Sequence, residues 1–419
     1  MTQRTTTTTL PDAPTEEPRV PRPRMGTRVP LDFEGLAWRE APGADLEEGV
    51  ARQLVELLRL GFNGGPAWFP YSDRHVDHLM WSVRDCPRKA WLELVERGDD
   101  LVAFFWGRES GFLVRGVEHT VAEGGDLALD PSLQGKGFYS RMRDVHRKWE
   151  HRQGIQFSVA TIDHPAIVHV SRQRGRSIYP ANSIRIMFRP LDFGRLGSLA
   201  AYGGAKAGAS NTNLALQARR RRLPRPLWLR SLVWRARLLR SSLFHRTSPA
   251  ARADWTIRTV TRFDERVDDF FREAATAFDF IQVRDATYLN WRYCDPRSGP
   301  FAVRVAEQDG RILGYCVLLT FDRRPAIADL LALPGRIDVV RSLVEDAVAE
   351  FRRRGAASVI IHTVRRHPYN DVLRRSGFLD RKGTAIATVS PAWLPRTELE
   401  FLAEPGARIQ LMLGDTDYV

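Results

Sequence analysis

The chain has 419 residues, 43% of them hydrophobic and 27% charged, with a formal net charge of +13. That composition excludes a disordered or fibrous protein and leaves room for two ordinary domains, each able to bury its own core. Three scattered cysteines, Cys86, Cys294 and Cys316, give neither a disulfide framework nor a metal-ligand spacing, so a reducing cytoplasm and no metal are expected.

Residues 1–32, rich in Thr, Pro and Arg, read as a disordered tail without the apolar run of a signal peptide. No uninterrupted apolar stretch reaches the roughly 18 residues that a membrane span needs. The positive charge is concentrated: from Phe193 to Ala253 there is no Asp or Glu, and Arg219 to Arg222 form a run.

Either side of that basic stretch the same features recur in the same order. Leu79-Met80-Trp81 aligns with Leu289-Asn290-Trp291, and Pro87 with Pro296. Each segment leads into a β-hairpin: Trp91–Val95 and Val102–Trp106 about Gly98-Asp99-Asp100, then Phe301–Val305 and Ile312–Tyr315 about Asp309-Gly310. A strand closed by proline follows, Leu127–Asp130 before Pro131 and Leu330–Leu333 before Pro334. Next come a helix ending in arginine before Gly154 or Gly355, a further strand, the pairs His164-Pro165 and His367-Pro368, and a short helix closed by Gly175 or Gly377. The series predicts a duplicated α/β domain with mixed (α+β) sheets and helices on their faces.

The chemistry concentrates in Leu127-Ala128-Leu129-Asp130-Pro131-Ser132-Leu133-Gln134-Gly135-Lys136-Gly137-Phe138-Tyr139, where a strand ends, a loop holds two glycines and a lysine, and a helix begins near Phe138. Glycine admits a phosphate close to the backbone, and the amides and dipole of a helix N-terminus attract it. Lys136 adds a point charge.

This segment resembles the pyrophosphate loop of the GNAT (Gcn5-related N-acetyltransferase) superfamily, Gln/Arg-x-x-Gly-x-Gly/Ala. Gln134 and Gly137 fit the pattern, whereas Tyr139 replaces its last small residue. The resemblance covers roughly residues 50–190 and, more weakly, 256–390. It implies acetyl-CoA, or another short-chain acyl-CoA, as donor. The backbone of Leu127 and Leu129 would hold the pantetheine arm, and the amides from Gln134 through Gly135, Lys136, Gly137 and Phe138 to Tyr139 the pyrophosphate. The strand near Phe157 to Thr161 would splay to open a wedge for the thioester. In the second copy Gly335-Arg336-Ile337-Asp338 stands where the loop should be, and an aspartate there repels phosphate.

Two tandem GNAT-like domains joined by a basic helical connector are therefore expected: 33–190 cofactor-binding, 191–254 connector, 255–395 with a degenerate loop, and a C-terminal segment 396–419. The activity implied is N-acylation of an amine on a small molecule, amino sugar or glycan precursor by direct transfer. The tyrosine that the family often places four residues before a closing Gly-Phe is Ser171 in the first copy and Leu373 in the second. Candidate catalytic groups are Glu118, Asp126, His164 and Tyr139, with Glu123 on the same strand as a further carboxylate. The aromatic segment Phe62–Tyr71 would form an acceptor wall, or pack between helices.

Arginines interleave with apolar residues in the 226–246 helix. It reads either as a bridge between domains or as a peripheral membrane contact that would place this cytoplasmic protein at the inner face of the membrane. No nucleic-acid recognition motif accompanies the charge. The competing reading is a non-catalytic GNAT-derived scaffold that keeps a vestigial loop.

Overall fold

A computed structural model describes residues 28–30, 35–61, 73–162, 169, 178, 184–192, 254–321, 325–381 and 386–416. The first half runs β1 (Arg28–Pro30), β2 (Leu36–Pro42), α1 (Glu48–Gly61) and α2 (Asp73–Leu79), which passes into one wide π turn at Met80–Arg84. The meander β3 (Ala90–Arg97), β4 (Asp100–Val114) and β5 (Val117–Leu129) follows, then α3 (Phe138–Arg152), β6 (Phe157–Ile162) and β7 (Ile184–Pro190). The second half repeats the plan: β8 (Thr256–Val260), α4 (Arg266–Ala274), β9 (Phe280–Gln282), α5 (Ala286–Cys294), β10 (Phe301–Gln308), β11 (Arg311–Leu319), β12 (Ala326–Ala332), α6 (Ile337–Arg353), β13 (Ser358–Val364) and α7 (Asn370–Arg375). It ends with β14 (Leu379–Arg381), β15 (Ile386–Pro391), a helical turn α8 (Arg396–Leu399) and β16 (Ile409–Gln410).

Alternation along the meander buries both faces of the first sheet. Leu92, Leu94, Phe104, Trp106 and Ala128 pack against α1 and α2 on one side. Val95, Ala103, Phe105, Leu127 and Leu129 meet Leu133, Phe138 and Met142 of the loop and α3 on the other. Four buried aliphatic and aromatic side chains of α6, Val340, Leu343, Val344 and Phe351, do the same for the second sheet.

The sheets do not follow the order of the chain. The first runs β1-β2-β3-β4-β5-β6-β15 and the second β14-β7-β13-β12-β11-β10-β8. Strand β15 therefore lies antiparallel on β6, from Ile386 opposite Ile162 to Pro391 opposite Phe157. In return β7 lies between β13 and β14 of the other half. Boundaries at residues 190 and 395 divide the sequence, whereas each sheet is completed by the last strand of the other half. Strand β9 also joins the far end of β4, with Gln282 opposite Phe112.

The two halves meet on a near-dyad marked by the repeat itself. Trp81 and Trp291 stack with ring centroids 4.6 Å apart and planes 18° apart. Each indole Nε1 donates to the other residue's carbonyl, at 3.1 and 3.3 Å. Each indole N–H thus finds its acceptor across the pair, while His78 packs on Trp81 and Tyr288 on Trp291 from within the same half.

Helix α3 is pinned to the sheet by a buried charge cluster. The His146 ring meets Glu93 of β3 through Nδ1 and Glu150, one turn on, through Nε2 at 3.0 Å. Burial opposes a charge on the imidazole, but the two carboxylates outweigh it and lift its pKa from 6.5 to about 9. Burial likewise opposes ionisation of Glu150, yet His146 holds that carboxyl at about 2. At Glu93 burial wins and raises the pKa.

Two outcomes are expected. Trp81→Ala and Trp291→Ala each lower stability by about 3–5 kcal/mol, and the double variant costs clearly less than the sum of the singles, as read by urea denaturation. His146→Gln costs about 3 kcal/mol by stranding buried carboxylates. Because the His146 pKa lies above its unfolded value, its stabilisation is complete below pH 6.5 and fades as pH rises through about 9. The gap between His146→Gln and the parent chain should therefore close between pH 6.5 and 10.

Candidate functional site

Strands β5 and β6 run parallel but pair at only three positions, from Val121 opposite Phe157 to Glu123 opposite Val159. Beyond Glu123 the two strands diverge and leave a wedge. On the β4 side the register slips between Phe105 and Gly107, a bulge that takes in Gly125 and Asp126. After the bulge Asp130 N–H donates to Val102 O at 2.8 Å. By the alternation of an antiparallel ladder, Ala128 and Asp130 turn their polar groups toward β4, while Leu127 and Leu129 turn theirs to the wedge. These are the two residues whose backbone was expected to hold a pantetheine arm.

The wedge opens onto the loop. The Asp130 carboxylate accepts from Ser132 N–H at 2.8 Å and, through that bond, sits below the ordinary carboxylate pKa. Leu133 is buried against α3 and anchors the turn. Gln134, Gly135, Lys136 and Gly137 are exposed, and the Gln134 Nε2 amide lies 3.4 Å from Leu129 O. Gly135 and Gly137 have φ of +76° and +79°, left-handed values that only glycine takes without strain. Gly137 caps α3, and nothing lies within 4 Å of where a Cβ would sit on it or on Gly135, so the space above both is open. α3 begins directly after Gly137, and within its first turn Ser140 N–H donates back to Gly137 O at 3.1 Å. Phe138 is core, so it offers the site its amide alone, and Tyr139 is half-buried beside it.

Asp126 lies in the bulge on the α1/α2 side, where Trp106 Nε1 donates to its Oδ2 at 3.3 Å. Burial raises its pKa, and the indole bond only partly offsets this. Glu118 does not join the site. It stands opposite Leu113 near the far hairpin, eleven residues before Leu129, or roughly 35 Å along the strand. Glu123 sits at the root of the wedge but is committed to structure: it accepts from Arg108 Nε at 2.8 Å and from Gln282 Nε2 at 2.6 Å. His164, Ser171, the 62–71 aromatic segment and the 226–246 helix lie outside the described residues.

The second half has the same wedge, filled. Strands β12 and β13 pair only at Ala326 with Ile360 and Ile327 with Ile361 before diverging. The Tyr369 hydroxyl accepts from Ala332 N–H at 3.1 Å and lies 3.4 Å from Ala332 O. Gln410 Nε2 donates to Leu330 O at 3.1 Å. The edge corresponding to Leu127 and Leu129 is thus occupied by the protein's own groups. The shortened loop has Gly335 at φ +78°, and Arg336 is bound to Asp338 at 2.8 Å, each cancelling the other's charge.

Sequence reasoning passed over the buried groups that join the halves. Arg284 reaches Asp329 through Nε at 3.0 Å and Asp415 through Nη2 at 2.6 and 2.8 Å. Burial works against this charge, but the two carboxylates raise its pKa well above the ordinary value. Arg292 donates to Gly414 O and Thr416 O at 3.1 and 2.8 Å. Arg292 adjoins the Trp291 of the repeat. What pairs with what depended on the C-terminal segment folding back into the second wedge.

No family model and no curated protein matches the sequence of this chain. Solved structures do match it in shape. Saccharomyces cerevisiae N-myristoyltransferase with bound myristoyl-CoA and inhibitors superposes with a TM-score of 0.55 at 13% identity, over 90% of this chain and 86% of that one. A tandem GNAT protein from the clavulanic acid biosynthesis pathway gives 0.53 at 15%, over 85% and 98%. A probable N-acyltransferase from Enterococcus faecalis V583 gives 0.54 at 11%, over 85% and 73%. With the repeated splayed sheet and the glycine loop of its first half, the chain carries the GNAT fold twice in tandem.

Proposed function

We propose that this chain is an acyl-CoA-dependent N-acyltransferase with one donor site, in its first half. It moves acetyl or another short acyl group to an amine of a small molecule, amino sugar or glycan precursor. The observation that carries this reading is the contrast between the wedges: the first turns Leu127 and Leu129 toward a gap below two left-handed glycines, touched by the exposed Gln134 side chain, and the second is filled by the buried Tyr369 and Gln410. A neighbour solved with myristoyl-CoA supports acyl-CoA as the class of donor.

The polar edge at Leu127 and Leu129 suits the amides of a pantetheine arm, and the loop amides with Lys136 suit the pyrophosphate. When bound, the donor supplies a thioester carbonyl in the wedge, within reach of the α1/α2 face. Asp126 on that face takes the proton that the acceptor amine must lose to become a nucleophile. Its raised pKa makes its carboxylate a stronger base than that of an exposed aspartate. Tyr139, at the start of α3, is the group placed to protonate the departing thiolate. The buried core around Trp106 keeps bulk water from the bulge.

Calorimetry with acetyl-CoA should give one site per chain with micromolar affinity. Gly137→Glu, which puts a side chain and a negative charge at the left-handed cap, should abolish binding while the chain stays folded by circular dichroism. No binding by the intact chain, with acetyl-CoA or longer acyl-CoA, leaves the non-catalytic scaffold as the surviving reading. Asp126→Asn should keep donor affinity and lower kcat by about a hundredfold, and it should remove the acid limb of the pH–rate profile.

A further inference from the structure

We propose that Arg108 is the recognition point for a carboxylate on the acceptor, so that the amine to be acylated belongs to an amino acid or a related amino-carboxylic acid. This narrows the acyltransferase reading and rests on it. Arg108 follows Trp106 by two residues on β4, so both face the α1/α2 side of the first sheet, where Asp126 lies. The residue is only 6% exposed. Its Nε donates to Glu123, but among the described residues neither Nη group has a hydrogen-bond acceptor.

Neither Nη belongs to the fully enclosed unpaired atoms of the described residues, so this guanidinium keeps donors that solvent or a ligand can reach. The contrast within this chain is direct. Arg284, fully buried, places Nε, Nη1 and Nη2 on Asp329, the Gln282 carbonyl and Asp415. Arg292 uses Nε and Nη2 on two carbonyls of the C-terminal turn.

The fork of Arg108 is also held in one orientation. Its Cζ lies 5.8 Å from the Trp106 ring centroid and 5.1 Å from that of Trp291. Glu123 is held in turn by Gln282, so the bond to Nε cannot swing round to cover the Nη groups. A planar fork held by indoles, with Nε on Glu123 and both Nη groups without a protein acceptor among the described residues, matches a carboxylate in bidentate geometry.

The same indole links this fork to the proton acceptor. Trp106 Nε1 contacts Asp126 at 3.3 Å, and Arg108 lies 5.8 Å from the Trp106 ring. Summed over the width of an indole, these legs hold the carboxyl and the guanidinium within about 12 Å of each other. An extended amino acid hydrogen-bonded at both ends spans roughly 8–10 Å. Amine at Asp126 and carboxylate at Arg108 is therefore a pose that one small molecule can take.

The experiment pairs amino acids with their carboxamides. Glycine, β-alanine and γ-aminobutyrate are compared with the matching amides, using the full chain and acetyl-CoA, and N-acetylglycine binding is measured by calorimetry without donor. The carboxylates should be preferred by about tenfold or more in kcat/KM. A double variant, Arg108→Gln with Glu123→Gln, removes both charges of the buried pair and so spares the core. It should bring the ratio to about one while remaining folded by circular dichroism. Equal use of carboxamides, or a preference that survives the double variant, overturns the assignment and leaves the acyltransferase reading intact. If no amine is acylated, that broader reading fails separately. N-acetylglycine binding that the double variant loses then still supports the carboxylate site, and the lack of such binding by the parent chain overturns it.

Discussion

Two parallel strands that pair for two or three residues and then diverge leave a row of backbone N–H and C=O groups without partners. Buried polar groups must be satisfied, so whatever fills the gap is as much part of the fold as the strands. In the second half the protein fills it with Tyr369 and Gln410, and with a C-terminal turn tied down by Arg284 and Arg292. In the first half the edge at Leu127 and Leu129 is touched by the exposed side chain of Gln134, whose Nε2 donates to Leu129 O at 3.4 Å, and not by a buried group, and the loop beyond it keeps the glycines that a plugged site does not need. One architectural defect, resolved in two ways, separates the binding half from the supporting half.

The same divergence explains why the halves are inseparable. Each sheet has an exposed edge beyond its splayed strand, and the last strand of the other half covers it: β15 on β6, and β7 on β13. Exchanged strands leave no edge open for aggregation at these positions. They also mean that neither half can complete its sheet alone. The Trp81–Trp291 stack makes the same point at the level of single side chains, since each indole finds its acceptor only across the near-dyad.

Buried charge does the remaining alignment. Glu123, the last residue of β5 before the wedge, is gripped by Arg108 from β4 and Gln282 from the second half. His146, oriented by Glu150 of its own helix, ties α3 and with it the loop at its N-terminus to Glu93 of β3. Such clusters contribute more to geometry than to net stability, because desolvation consumes most of what pairing returns. Their role here is to hold the root of the wedge and the start of α3 in one relation.

Much of this was legible in the residues. The hairpins about Gly98 and Gly310, the helices ending before Gly154 and Gly355, and the strand–loop–helix at 127–139 are local signals, set by periodicity, turn residues and caps. The loss of the loop in the second copy followed from Asp338 in the same way. The strand exchange was not legible, because β7 and β15 are ordinary alternating strands and nothing in a strand names its neighbour. Glu118 and Asp126 looked alike as carboxylates on one strand, and only the bulge and the rise per residue put one in the site and the other far from it. Arg108, Gln282 and Arg284 carry no local pattern at all. The sequence by itself determined which segments would be strands, helices and anion-binding loops, since those depend on neighbours along the chain. Tertiary structure decided which wedge stayed open and which charges met, since those depend on groups far apart in the chain, as Asp85 and Arg297 are at a separation of 212 residues.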